Sequence, residues 1–588
     1  MSPGLKFSIH RYAFDDQLLD TIDSIYYLKD NWPIIYILSN SAKKSLYVGE
    51  TSDFYTRMVT HLRTADKKEM STIHIIFSDS FNKSATLDIE SNLIKYISAD
   101  EYPAGEEELT KSWKLLNSNI GLSKHNYYQK SDIYWQLFND IWEKLRSEPE
   151  PGRIAFQAIS YIDNSDLFKY SPFRSLNSEQ YRGLFHIMEA LLNSNTKTII
   201  AEGGAGTGKS LLAIHLFKLL MTDMGEFNYR YFGNEEPLFI ELVRALKNKY
   251  ENPKLALVIP MTSFRETVMK VFRKVKGLRP SMVISPAEVK KVHYDIILVD
   301  EAHRLRRGRN LGSYIGAFNN TSRVLNFDRD KHTELDWVKL KSDKLIMFYD
   351  EKQTIKPSDV RSNDFKELKS IESTEVQSLK KQMRVLGGER YIKFSTMLLD
   401  CALPPGTEKY RSRKYECLLF DSVTQMRREI QQRDSETGLS RMVAGYSWEW
   451  RSKKNPELFD IFLENEWYRW NSITADWINS ENAPDEIGCI HTTQGYDLNY
   501  AGIIFGREIT YDKEKNEMVI IRDNYCDTEG KRGVTDPEEL KEYIINIYRI
   551  VMHRAIKGVY IYAYHPELRE YFSQFIPKPG AESNVVPL

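Results

Sequence analysis

Hydrophobic positions in the first 150 residues change period several times, and each change marks an element. After a short helix, two β-branched and aromatic runs, 33–38 and 45–49, flank the turn-forming residues 40–44 and predict a hairpin. A helical pattern over 54–63, a β-branched run over 72–77 and a helix from about 84 to 97 follow, making a small α/β unit. Residues 101–108 are polar and acidic, contain Pro103 and Gly105, and read as a loop. An amphipathic helix over 134–145 closes the unit, and 147–152 reads as a linker.

Beyond it, short apolar runs at 198–201, 255–260, 296–300, 345–350, 441–445, 488–491 and 558–562 alternate with longer helical patterns. Runs buried on both faces and separated by helices predict parallel sheets of the doubly wound type, and this number of runs predicts two of them. The expected organisation is a first domain over 1–150, a lobe over 151–375 with an accessory insertion near 221–254, and a second lobe over 376–588. There is no repeat of solenoid period and no low-complexity tract.

At roughly 100 to 200 residues per domain, 588 residues hold three to four folding units. A composition of 41% hydrophobic and 28% charged residues excludes a disordered or fibrous chain. Uncharged stretches such as 255–264 fall short of the roughly 18 to 20 apolar residues a bilayer span needs. The N-terminus has no signal-peptide pattern, so a cytoplasmic protein without a membrane partner is expected. Cys401, Cys417, Cys489 and Cys526 are too scattered for a disulfide framework or a zinc knuckle. Net charge is -1, and residues 1–150 carry 17 Lys and Arg against 22 Asp and Glu, a net of -5. No global field therefore draws nucleic acid to this chain, and any attraction is local.

Gly203-Gly204-Ala205-Gly206-Thr207-Gly208-Lys209-Ser210 fits a phosphate-binding loop between a β-run and a helix. Glycines such as Gly203, Gly206 and Gly208 let backbone N–H groups close around phosphate, Lys209 reaches the β- and γ-phosphates, and the Ser210 hydroxyl ligates Mg²⁺. The run 296–303 ends a strand in adjacent carboxylates: Asp300 is expected to hold Mg²⁺ through water, and Glu301 to orient or deprotonate the attacking water. ATP is the expected nucleotide and hydrolysis the expected reaction. Asp350 and Gln353 follow another strand, 379–384 supplies Arg384, and 490–495 and 548–555 complete the series with Arg554.

This order, with Ala444-Gly445-Tyr446-Ser447-Trp448-Glu449-Trp450, resembles the superfamily 1 helicases and more closely the Schlafen-type DNA/RNA helicase domain, over about 170–570. The resemblance implies two RecA-like lobes with ATP between them, the first carrying Lys209, Asp300 and Gln353, the second Arg384 and Arg554. Arginines from the second lobe would then stabilise the transferring phosphoryl and couple hydrolysis to lobe closure. Gln180 matches the position where such proteins read the adenine edge, and its plain alternative is a helix-start polar residue. His553 stands where the family commonly has Thr. Arg304 to Arg309 read as a solvated loop, with phosphate contact as the alternative. Trp448, Trp450, Trp467 and Trp470 read as core, with base stacking as the alternative.

Near the N-terminus, Ile34-Ile35-Tyr36 and, after ten intervening residues, Tyr47-Val48-Gly49 precede Thr51, Arg57, His61, Glu90 and Asn117. Facing strands can bring two phenols to one point, and Arg57 and His61, i and i+4, share one helix face. The set resembles the GIY-YIG nuclease family over about 30–120, with Ile34 replacing the first glycine. Tyr47 is thereby implied as general base assisted by His61, Arg57 as stabiliser of the phosphorane, Glu90 as ligand of a single Mg²⁺ or Mn²⁺, and Asn117 as a hydrogen-bonding brace.

The expected fold class is α/β: a small GIY-YIG nuclease domain followed by two RecA-like doubly wound parallel-sheet lobes. The expected function is an ATP-dependent, helicase-like nuclease acting on nucleic acid, DNA before RNA, in antiphage defence or restriction, with an oligomer or partner protein allowed. Its rivals are a DNA-repair nuclease-helicase and a nucleotide-switched nucleic-acid-binding module that does not cut.

Overall fold

The computed structural model describes residues 6–580 except 23–27, 29–30, 101–112, 118–127, 131–133, 150–151, 171–175, 223–236, 276, 381, 474–476 and 494–495. The expected loop at 101–108, and parts of the linker and of the 221–254 insertion, lie outside the described residues. Two compact units divide the chain: residues 1–192, 211–253 and 266–283 form one, and residues 193–210, 254–265 and 284–588 form the other.

In the first unit, β1 (Phe7–Ala13), β2 (Ile34–Asn40), β3 (Ser45–Thr51), β4 (Thr72–Ser78) and β5 (Lys114–Leu115) form a sheet in the order β1-β4-β2-β3-β5. The predicted hairpin is β2–β3, with Tyr36 opposite Gly49 and Leu38 opposite Tyr47. One face of it, with Ile34, Tyr36, Leu38 and Tyr47, packs on Phe54 and Met58 of the helix Phe54–Arg63. The helix Lys83–Ala99 starts at Asn82, whose side chain accepts the Ala85 N–H. The sequence reading placed a helix ahead of the hairpin and missed β1. β1 is an edge strand, antiparallel to β4 and buried at no position, so it lacks the apolar run that announces a central strand.

The next six strands are β6 (Thr198–Gly203), β7 (Leu255–Val258), β8 (Val283–Ile284), β9 (Tyr294–Val299), β10 (Ser342–Tyr349) and β11 (Thr374–Leu379). They are ordered β11-β6-β10-β9-β7-β8, with parallel pairing from β11 through to β7. The third sheet uses β12 (Glu416–Leu419), β13 (Ser440–Ala444), β16 (Ile487–Gly488), β17 (Leu498–Phe505) and β20 (Ala555–Ala563). Its order is β12-β20-β17-β13-β16, again parallel. Two antiparallel hairpins project from this lobe, β14 (Ile461–Leu463) with β15 (Glu466–Tyr468), and β18 (Ile509–Asp512) with β19 (Glu517–Ile520).

Every residue of β17 is buried, with Ile503 in one core and Ile504 in the other, as a strand covered on both faces requires. The sequence reading instead took 488–491 as a strand. Only Ile487–Gly488 is extended there, and Ile490–Thr493 is a helical turn. β17 was hidden by Gly502, which reads as a breaker but leaves room for Met442 and Ile430: a Cβ at 502 would lie 2.5 Å from the sulfur of Met442. Among the described residues no helix is long and apolar enough to cross a membrane.

Candidate active sites

The first site is built on the β2–β3 hairpin. Gly49 opposite Tyr36 leaves the space across which the tyrosine ring lies, since a Cβ at 49 would fall 2.3 Å from the Tyr36 hydroxyl. The helix Phe54–Arg63, capped by Asp53 accepting the Thr56 N–H, then presents Arg57 and His61 to both phenols. Nε of Arg57 donates to the Tyr36 oxygen at 3.0 Å and Nη2 donates to the Tyr47 oxygen at 3.3 Å. Tyr36 Oη lies 2.7 Å from Nε2 of His61, whereas Tyr47 meets the His61 ring edge-on at 5.4 Å between centroids. The hydrogen-bond partner of His61 is thus Tyr36, and its relation to Tyr47 is a ring contact.

β5, parallel to β3, ends just before Asn117, whose amide continues the ladder with its side chain. It accepts the Val48 N–H at 3.0 Å and donates to the Val48 carbonyl at 2.7 Å, pinning the strand beside Tyr47. Glu90, buried on the helix Lys83–Ala99, acts electrostatically on both phenols. Burial most of all, then the second phenol, pushes Tyr36 well above the ordinary phenol range; Tyr47 is raised as well, against the pull of Arg57. Burial, with Lys67 and Arg57 nearby, lowers His61 to about 3, so its imidazole is neutral.

The second site lies at the carboxyl edge of three adjacent strands, β6, β10 and β9, the position where doubly wound sheets bind ligands. After β6 the loop turns through Gly206 and Gly208, at φ 78° and 84°, conformations that favour glycine. Lys209 Nζ donates to the carbonyls of Gly203 and Gly204 at 2.5 and 2.9 Å and lies 3.7 Å from Asp350 after β10. Ser210 hydrogen-bonds Asp300 after β9, and burial, then the adjacent Glu301 charge, push that carboxyl up. Glu301 has a left-handed backbone, φ 53°, and pairs with His303 at 2.9 Å. Burial opposes its ionisation, but His303, Lys209 and Arg554 outweigh burial and hold it below the usual carboxylate range. Gln353 donates to Asp350 at 2.6 Å.

The two arginines converge on one segment of the third sheet's lobe. Arg384 Nε lies 2.6 Å from Asp497, and Arg554 Nη1 donates to the Tyr496 carbonyl at 2.9 Å. Arg384 also packs on the phosphate loop: Met383 N–H donates to the Gly206 carbonyl at 3.0 Å, and a Cβ at 206 would meet Arg384 Cβ at 2.7 Å.

Other sequence expectations fare differently. Gln180 starts the helix Ser178–Leu192, where its side chain accepts the Asn177 N–H at 3.1 Å, the alternative capping arrangement. Residues 494–495 of the 490–495 motif lie outside the described residues. The run 304–309 is not a free cationic strip: Arg304 is buried against Asp359, Arg306 stacks over Tyr314, and Arg307 donates to the Pro357 carbonyl. Trp448 and Trp470 are core and Trp450 packs against that core, but Trp467 is exposed.

Three contributors escaped the sequence reading. Lys67, whose Nζ stands 3.8 Å from the centre of the Tyr47 ring, has no spacing signal that could have marked it. His303 was visible two residues after Glu301, and Asp497 two residues after the end of the 490–495 motif.

Together these features define a P-loop ATPase with RecA-like lobes joined to a small two-phenol nuclease domain, and thus a hydrolase. Residues 196–565 match the Schlafen group 3, DNA/RNA helicase domain, and the chain belongs to that family. Residues 33–100 match the GIY-YIG catalytic domain. Nucleotide and divalent-metal use, and nucleic-acid binding, follow from these two domains in general. A similar protein is the uncharacterized YPL245W of Saccharomyces cerevisiae, 27% identical over 474 residues that cover 73% of this chain and 96% of the yeast protein. Among solved structures, the Pif1 helicase from Candida albicans is similar at 11% identity, covering 68% of this chain and 98% of that one, with a TM-score of 0.26. The Pif1 helicase from Bacteroides in complex with ADP-AlF3 and ssDNA is similar at 10% identity, covering 67% and 94%, with a TM-score of 0.25.

Proposed function

We propose that the chain is a cytoplasmic, ATP-dependent nuclease in which the lobes at 151–375 and 376–588 bind or move on nucleic acid, DNA before RNA, while the domain at 1–150 cuts it. ATP hydrolysis drives or gates the cut. The observation that carries this reading is the single guanidinium of Arg57 bonded to both Tyr36 and Tyr47, with the buried Glu90 acting electrostatically on the same phenols.

Arg57 donates to the Tyr36 oxygen and Nε2 of His61 lies within hydrogen-bond reach of it, so Tyr36 is fixed by two partners. Tyr47 is assigned as the general base, acting as its phenolate; burial disfavours that form, and the Arg57 cation acts against burial. Arg57 faces the position where phosphorane charge develops. The donors are hard oxygens suited to Mg²⁺ or Mn²⁺ at Glu90 and to Mg²⁺ at Ser210 and Asp300. A cation at each place supplies charge neutralisation at phosphate oxygens. In the second site Lys209 holds phosphate, Glu301 orients water, and Arg384 and Arg554 meet the developing charge.

A cleavage time course on plasmid, single-stranded DNA and RNA with Mg²⁺, with and without ATP, tests this beside Glu90→Ala and Lys209→Ala. Cutting abolished by Glu90→Ala, and altered by Lys209→Ala, supports both halves. Nucleic-acid-stimulated ATPase without any cutting would return the chain to a switched binding module. The biological reading, defence against invading DNA, is tested by phage plating on a bacterial host expressing the wild type or Glu90→Ala.

A further inference from the structure

The lobe of the third sheet carries an aromatic surface that neither hydrolytic site uses. β14 and β15 turn through Glu464 and Asn465, at φ 50° and 65°, a two-residue hairpin whose backbone matches strand twist. Alternation then sorts the side chains. Ile461, Leu463 and Tyr468 enter the core, while Phe462 and Trp467, opposite each other in register, face outward. Their ring centroids lie 4.6 Å apart, and that of Phe459 lies 6.4 Å from Trp467. Phe459, Phe462 and Trp467 are 42%, 47% and 52% exposed, and contiguous exposed rings of this kind mark recognition surfaces.

Contacts between cations and rings point to the occupant. Three acids of the segment are engaged in the fold: Asp460 accepts from Ser452 and the Trp470 N–H, Glu464 from Ser422 and the Val423 N–H, and Glu466 from the Tyr468 hydroxyl. Glu449, 3.8 Å from Arg451, Glu457 and Glu464 are exposed. The same segment carries Arg451, Lys453, Lys454 and Arg469, with Lys453 Nζ 5.2 Å over Trp450 and the Arg469 guanidinium 4.5 Å over Phe459. Cations resting on aromatic faces beside open rings match a ligand that is anionic along its backbone and flat along its side groups.

We infer that the outer face of β14–β15 is a stacking platform for unpaired nucleobases, with the flanking lysines and arginines meeting phosphates of the same strand. This rests on the nucleic-acid reading above and names the form it takes, a single strand whose base faces are free to stack.

The test is fluorescence anisotropy of labelled oligo-dT and oligo-rU with the full chain in EDTA, so that nothing is cut. Trp467→Ala and Phe462→Ala are each expected to weaken binding roughly tenfold, and Trp467→Phe, which keeps a ring, to retain most of it. ATPase measured without nucleic acid should be unchanged in all three, showing an intact lobe. If the wild type binds neither oligonucleotide, the nucleic-acid reading itself fails and the platform with it. If the wild type binds and Trp467→Ala binds equally well, the platform alone is overturned. A change in oligomeric state on Trp467→Ala with oligonucleotide affinity untouched would assign the face to a second copy and also overturn it.

Discussion

The hydroxyl of Tyr36 lies 2.7 Å from Nε2 of His61. Arg57 donates to the same oxygen, so the Tyr36 hydroxyl is held between a guanidinium and an imidazole nitrogen. Burial first, then Lys67 and Arg57, lower this imidazole to about 3 from an ordinary 6.5. Its folded value lies below the unfolded one, so stability is complete above pH 6.5 and is lost as pH falls toward 3. The nuclease unit should lose on the order of 3 kcal/mol between pH 7 and 4 through this group, and His61→Gln should flatten that slope. Denaturant titrations followed by amide exchange in 34–63 check this. An acid limb unchanged in His61→Gln would remove His61 from the account.

Arg57 reaches both phenols because one planar group carries separate N–H donors at Nε and Nη2. A lysine offers a single nitrogen and cannot reproduce this fork. Arg57→Lys should therefore lower the cleavage rate about as far as Arg57→Ala, roughly 10²- to 10³-fold, while ATPase without nucleic acid stays at the wild-type level. A lysine variant cutting within a few fold of wild type would show that charge alone suffices.

Gly49 leaves the space that Tyr36 fills. A methyl there would overlap the Tyr36 hydroxyl carbon and oxygen, at 2.4 and 2.3 Å, and the ring must leave His61. Gly49→Ala should cost about 1 to 3 kcal/mol of unit stability and abolish cutting, with ATPase intact. Parallel cleavage and ATPase assays decide it, and near-normal cutting would mean the ring's position is dispensable.

What the sequence disclosed follows from how local each feature is. The phosphate loop and the carboxylates at 300, 301 and 350 were legible because strand, turn and helix follow directly in the chain. Tyr36, Tyr47, Arg57 and His61 were legible because a hairpin and one helical turn bring them together. The arginines at 304–307 were misread because their partners, Asp359, Tyr314 and Pro357, are distant in sequence. β1 and β17 were missed because an edge strand shows no apolar run and because Gly502 imitates a breaker. Trp467 differs from Trp470 only in which side of the hairpin lobe it faces, and the strand alternation around it spans too few residues to announce itself.

Glu508, fully buried, joins two stretches of the second lobe that the sequence left unconnected: it accepts from Ser447 in the 444–450 stretch and, at 2.5 Å, from Tyr548 on the helix that leads to Arg554. Burial is the main cause that raises its carboxyl from 4.5 to about 7. Here the folded value exceeds the unfolded one, so the folded state holds the extra proton between those limits and stability falls as pH rises from about 4.5 to 7. The lobe should lose on the order of 2 to 3 kcal/mol across that window, and Glu508→Gln, which keeps an acceptor for Tyr548 without a charge, should abolish the loss. Glu508→Ala should instead destabilise at every pH by about 1 to 3 kcal/mol, because Tyr548 and Ser447 lose their acceptor. Amide exchange of 444–450 and 505–508 from pH 5 to 8 separates these outcomes. A wild type as flat as Glu508→Gln would show that folding leaves the protonation of this carboxyl unchanged across the window.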